Sequence, residues 1–131
     1  ARIDRAEARL MPGLETPRQA LGRRGEAVAE RFFLARGFEV VARNWRCRAG
    51  ELDLVVQREG RLPLIEVKAR FSSRQHPFEA ITPEKRERLE RAIQAWFQAQ
   101  PGHMQLPYQV DAFCFWKDPC EGVQVRWIEG M

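Results

Sequence analysis

The sequence is poor in the residues that staple small domains or knot them around metal. Its three cysteines, Cys47, Cys114 and Cys120, form no C-x-x-C pair. An odd, scattered set excludes a disulfide framework and a zinc knuckle and leaves free thiols. The two histidines, His76 and His103, fall in loop-like stretches without metal-ligand spacing. No apolar run approaches the roughly 20 residues that cross a bilayer. The opening "ARIDRAEARL" also lacks the apolar segment of a signal peptide. The expectation is a chain with no membrane partner that works in the cytoplasm. No internal repeat, low-complexity tract or second-domain signal interrupts it.

What is present fits one folded domain. A chain of 131 residues, 44% hydrophobic and 31% charged, can bury a single core. The net charge is +4, and the positive charge is almost all arginine, whose planar fork grips phosphate. Such a balance permits a polyanionic partner such as nucleic acid without requiring one.

Residues 1–16 alternate charged and small apolar residues and end in "MPGLETP", a leader with the chemistry of a helix or an arm. From Pro17, the residues Leu21, Gly25, Val28 and Phe32 recur at spacings of four and three, which predicts an amphipathic helix ending near Gly37. "FEVVARNWR" reads as a short strand running into a polar turn, "ELDLVVQR" as a second strand, "EGR" as a tight turn and "LPLIEVKA" as a third strand, with Pro63 near its start or edge. "FSSRQHPFEAI" reads as a loop. Thr82 then caps a long helix with Pro83 in its first turn, running to about Gln100. Leu89, Ala92, Ile93, Trp96 and Phe97 mark its buried face, and Lys85, Arg86, Arg88 and Arg91 line much of the rest. "YQVDAFCFW" and "VQVRWI" close the chain as two more strands; the Trp, Phe and Cys of "AFCFW" alternate as a half-buried strand would, and are core. The order is helix, three strands, helix, two strands.

Within this pattern "ELDLVVQREGRLPLIEVKAR" is anomalous, because two apolar strands carry Asp53, Glu66 and Lys68. Buried charge is costly unless it is paired or holds a metal. Side chains two apart on a strand share a face, so Glu66 and Lys68 project together. A turn near Glu59 to Arg61 sets Asp53 approximately opposite Glu66 to Lys68. Two carboxylates and an ammonium then meet at the end of the hairpin away from its turn. Two readings fit. One is a cross-strand ion pair contributing about 0.2–1 kcal/mol. The other is a site in which Asp53 and Glu66 hold Mg²⁺ and Lys68 serves a nucleophilic water.

A longer set of motifs bears on the choice. The "GE" of the first helix, "NWR", "GELDLV", "EVKAR", "ITPEKRERL" and "VDAF" follow one another over nearly everything after residue 20. In this they resemble the YraN-like family, bacterial proteins related to Holliday junction resolvases and similar to the PD-(D/E)-x-K nuclease superfamily. The resemblance implies an α/β, restriction-endonuclease-like three-layer fold for residues 17–131, with a mixed central sheet flanked by helices. It implies Asp53, Glu66 and Lys68 as catalytic residues and Mg²⁺ or Mn²⁺ as cofactor. The metal ligands it implies are Asp53, Glu66, the Val67 carbonyl and Glu26 of the first helix, for which an exposed helix charge is the alternative. Lys85 matches the basic residue of the second helix, touching phosphate or solvent. Two positions depart from the pattern. Leu52 stands where the superfamily name has Pro, and Gln109 stands where the family has Arg, which leaves Asp111 a structural role.

Nucleic acid, DNA in particular, is the partner this implies, with Lys85, Arg88 and Arg46 as contacts and a homodimer as a further expectation. Asn44, Trp45 and Arg46 combine hydrogen bonding, stacking and charge, though Trp45 suits a core or turn anchor better. Three functions stay open: a metal-dependent endonuclease, a nucleic-acid-binding module on a nuclease scaffold without turnover, and a protein-interaction adaptor, against which the Arg-rich face stands.

Overall fold

A computed structural model describes residues 14–71, 81–100, 102 and 106–130. Most of the leader, both histidines and most of the loop after Phe71 lie outside the described residues. The order of elements is the expected one: α1 (Pro17–Ala35), β1 (Glu39–Cys47), β2 (Gly50–Gln57), β3 (Leu62–Arg70), α2 (Pro83–Ala99), β4 (Tyr108–Asp118) and β5 (Gly122–Ile128).

Both helices begin where side-chain oxygens replace missing carbonyl partners. Thr16 accepts from the Gln19 N–H at 3.1 Å while the Gln19 side chain accepts from the Thr16 N–H at 2.9 Å, a reciprocal capping box. Thr82 caps α2 by accepting from the Lys85 N–H at 3.2 Å. Beyond α1 the chain reverses through Gly37 at φ +83°, a conformation glycine adopts without steric cost.

The five strands form one sheet in sequential order, β1-β2-β3-β4-β5. Only β3 and β4 run parallel; the other neighbours are antiparallel. The β2–β3 hairpin closes through Glu59 and Gly60 at φ +53° and +76°, with Arg58 and Arg61 exchanging backbone hydrogen bonds of 3.1 and 3.2 Å. Positive φ at both central positions gives the loop the twist that two paired strands need.

Each helix covers one face of the sheet, so the layers are helix, sheet, helix. Leu21, Ala29 and Phe33 of α1 pack on Leu54, Val56, Ile65, Phe113 and Phe115. Leu89, Ala92, Ile93, Trp96 and Phe97 of α2 pack on Leu52, Val55, Leu62, Leu64 and Val110. Val110 to Phe115 of β4 are all buried. Phe113, Cys114 and Phe115 are core as expected, and the burial goes beyond half-buried alternation: β4 is a central strand paired on both edges and covered on both faces. Its one buried carboxylate, Asp111, accepts from Gln109 Nε2, Trp127 Nε1 and the Gly130 N–H at 2.9–3.0 Å. That network ties β5 and the chain after it to β4, a structural role. Among the described residues no helix is long and apolar enough to cross a membrane.

Candidate functional site

The site is built by a fault in the sheet. On β2, Leu52 faces the α2 core, yet Leu54, two residues on, faces the α1 core. Regular alternation would put both on one face. The partner strand changes face at the same level, its register with β2 kept: Ala42 and Trp45, three apart, both pack on the α2 side. Between them Asn44 sits at φ +46°, a left-handed conformation that asparagine tolerates better than most residues. The neighbouring pairs Arg43↔Leu54 and Trp45↔Leu52 place Asn44 across from Asp53. Asp53 is therefore the residue at which β2 changes face, and its side chain turns toward β3.

There it replaces a rung of the ladder. The pairs joining β2 to β3 are Leu54↔Ile65 and Val55↔Leu64, whereas β3 pairs with β4 along its whole length. Past Ile65 the Val67 N–H donates to Asp53 Oδ2 at 3.0 Å. The two strands part at this end of the hairpin, and the gap opens as a pocket of about 230 Å³ lined by Gly50, Glu51, Asp53, Glu66, Lys85, Arg88 and Leu89.

Electrostatics mark the pocket as short of positive charge at Asp53. Burial pushes the Asp53 carboxyl up to about 8; repulsion by Glu66 adds to the rise, with Glu51 and Glu26 behind it, and the Val67 N–H opposes it. Glu66 is buried at 7% exposed and is met by the Lys85 ammonium, which reaches down from the first turn of α2. The sequence left Lys85 to phosphate or solvent; here it is the counter-ion of a buried carboxylate, whose desolvation demands one. The Thr82 cap holds the turn that delivers it.

Lys68 follows Glu66 on the same face of β3, is 8% exposed, and stands beside Cys114 of β4 in the parallel register. Burial pushes its ammonium below the usual lysine range; Lys85 and Arg70 push the same way, and Cys114 and Glu66 oppose them. The Cys114 thiol is pushed up, chiefly by its own burial.

The remaining candidates divide. Val67 lies within the site through its backbone. Glu26 projects from α1 into a separate groove of about 450 Å³ lined also by Arg18, Val67, Arg70 and Phe71. It reaches Asp53 only as a weak repulsion. Among the described residues no three His, Cys, Asp or Glu side chains gather as a metal-binding group. Arg88 lines the pocket one helical turn beyond Lys85. Arg46 stands outside on β1, exposed and 3.5 Å from Glu51, its cross-strand partner. Trp45 packs on the α2 core, an anchor. Two features escaped the sequence reading, the Asn44 kink and the Lys85–Glu66 pair. An asparagine inside a strand was the one local signal for the first. The second depends on how α2 docks and had none.

The two carboxylates, the room between them and a lysine cation already drawn to one of them fit a divalent ion that takes oxygen ligands and keeps waters. Asp53 and Glu66 would hold it.

Comparison with known proteins agrees with the motifs. The model of the uncharacterised protein family UPF0102 matches residues 25–115, a span from the middle of α1 through most of β4. A UPF0102 protein of Clavibacter michiganensis is 47% identical over 87 residues, covering 66% of this chain and 74% of the relative. One from Nitratiruptor sp. is 38% identical over 104 residues, covering 79% of this chain and 89% of the relative. One from Renibacterium salmoninarum is 45% identical over 93 residues, covering 70% and 78%. The matched span holds Glu26, Asp53, Glu66, Lys68, Lys85 and Arg88 together, and the chain belongs to family UPF0102.

Proposed function

We propose that the protein is a metal-dependent endonuclease related to Holliday junction resolvases, hydrolysing phosphodiester bonds of nucleic acid, DNA in particular. The observation that carries this is the Asp53–Glu66 pair at the split end of the β2–β3 hairpin, with Lys85 and Arg88 at the same pocket. An acidic pair beneath a basic helix suits a phosphate that meets cations from two sides. A Mg²⁺ or Mn²⁺ ion, when bound, neutralises charge developing on the phosphate and lowers the pKa of a bound water.

The chain's own groups divide the remaining work. Asp53 and Glu66 would hold the ion, and the Val67 backbone stays aligned because its N–H is tied to Asp53. Glu26, in the adjoining groove, would be the further carboxylate toward the ion. Arg88 holds a phosphate oxygen at the mouth of the pocket, and Arg46 meets the backbone farther out. Lys68, with its proton affinity lowered by burial, exchanges a proton with the attacking water more readily than an exposed lysine. Free thiols at Cys47, Cys114 and Cys120 suit work in the reducing cytoplasm. A homodimer would bring two such sites to a branched, two-fold symmetric junction.

A second reading, a binding module without turnover, gains from one observation: Glu66 already has a counter-ion in Lys85. A cleavage assay with Mg²⁺ and Mn²⁺ against branched, nicked, single-stranded and RNA substrates separates the two. The endonuclease reading expects cutting that Asp53→Asn and Glu66→Gln each abolish. Binding without cutting across the whole panel hands the function to the second reading.

A further inference from the structure

We infer that Lys85 is a built-in competitor of the divalent ion, and that a nucleic-acid phosphate draws it off Glu66. If Asp53 and Glu66 hold such an ion, as proposed above, nucleic acid and metal then load this pocket cooperatively.

Three observations lead there. Lys85 Nζ sits on Glu66 Oε1, the carboxylate of the pair that a metal would need. The two partners are unequal: the Glu66 side chain is 9% exposed and that of Lys85 43%. The carboxylate is thus held inside the pocket, while the lysine side chain that meets it stays partly exposed. Finally, the backbone beneath Lys85 is pinned by the Thr82 cap, so the head can change partner while the helix stays in place.

Lysine suits such an exchange, since its ammonium is a compact charge on a flexible stem, without the fixed fork that holds arginine in a paired geometry. An ion arriving at Glu66 while Lys85 is there meets a like charge and must displace it. A phosphate at the mouth of the pocket, where Arg88 also lies, offers Lys85 a second anion and leaves both Glu66 oxygens to the metal. Linkage then requires reciprocity. Whatever factor nucleic acid adds to metal affinity, metal adds to nucleic-acid affinity.

The test measures Mn²⁺ binding to the full chain by the electron paramagnetic resonance of free Mn²⁺, with and without a short phosphorothioate DNA duplex that resists hydrolysis. Displacing a partly exposed ion pair corresponds to a modest effect. Lys85→Met should therefore raise Mn²⁺ affinity without duplex by at least about fivefold, and shrink the enhancement by duplex by a similar factor. Lys85→Arg, whose fork holds the paired geometry, should keep the parent's Mn²⁺ affinity without duplex and lose part of the enhancement by duplex. Arg88→Met, which removes a cation lining the same pocket, should raise Mn²⁺ affinity less than about twofold.

Equal Mn²⁺ affinity in the parent and Lys85→Met overturns the competition while leaving the metal site standing. An equal rise in Arg88→Met overturns it as well, because general charge would then suffice. A duplex that leaves the parent's Mn²⁺ affinity unchanged refutes the exchange. No Mn²⁺ binding by any of the proteins, with or without duplex, overturns the metal site itself.

Discussion

Asp53→Asn should make the metal-free protein more stable in alkali, a result expected of few losses in a buried site. The Asp53 carboxyl is carried from an ordinary 3.8 to about 8 in the folded chain. An acid whose folded pKa is raised binds its proton more tightly when folded. The folded state then holds more protons than the unfolded one between these values, and stability falls as pH climbs from about 4 to about 8. Each pH unit in that window corresponds to about 1.4 kcal/mol, so the ceiling is about 6 kcal/mol. Asp53 is only half-buried, and an effective dielectric well above that of a dry interior brings the expected loss to about 2–3 kcal/mol. Asparagine removes the charge and keeps a carbonyl oxygen for the Val67 N–H. In EDTA at pH 9 the variant should melt about 5–10 °C above the parent, and at pH 4 within about 2 °C of it. Adding Mg²⁺ or Mn²⁺ should raise the parent and leave the variant in place. Melting curves at both pH values with the same offset between the proteins would refute the argument, since an uncharged cause would not track pH.

Other outcomes follow from single contacts. Lys68→Met keeps the apolar stem on β3 and should bind nucleic acid and metal about as well as the parent while cleaving at least about 100-fold more slowly, as single-turnover kinetics would show; unchanged cleavage removes Lys68 from the chemistry. Nucleic-acid affinity should fall steeply with salt, and Arg88→Ala should reduce the slope of log affinity against log salt by about 1 in fluorescence titrations at several salt concentrations. An unaltered slope would move the phosphate path toward Arg43, Arg46 and Arg48. Gly25→Ala puts a Cβ 3.0 Å from the Ala69 Cβ where α1 crosses β3. It should cost about 1–3 kcal/mol in urea unfolding, whereas the same change at Gly22, with nothing within 4 Å, should not destabilise.

The amino-acid sequence by itself determined the elements and their order. Periodicity marked α1 and α2, Pro17 and Pro83 placed their first turns, and "EGR" marked the turn of the hairpin, because these signals act within a few residues of chain. The motifs also identified the family, and with it the three-layer fold. The pattern brought Asp53 and Glu66 to one end of the hairpin, since a two-residue turn leaves a single register open to the strands behind it. Three matters were decided only by the tertiary structure. Burial on both faces of β4 arises from its parallel pairing with β3, a contact between segments about 45 residues apart. Asp53 turns to the Val67 N–H because β1 and β2 change face together across Asn44 and Asp53 while keeping their register, and a shared change of face belongs to neither strand alone. Glu66 takes Lys85 as its counter-ion, although Lys68 is its neighbour on the strand, because packing of the apolar face of α2 on the sheet fixes where its first turn overhangs the hairpin. Long-range docking selects that partner, and chain proximity cannot encode it.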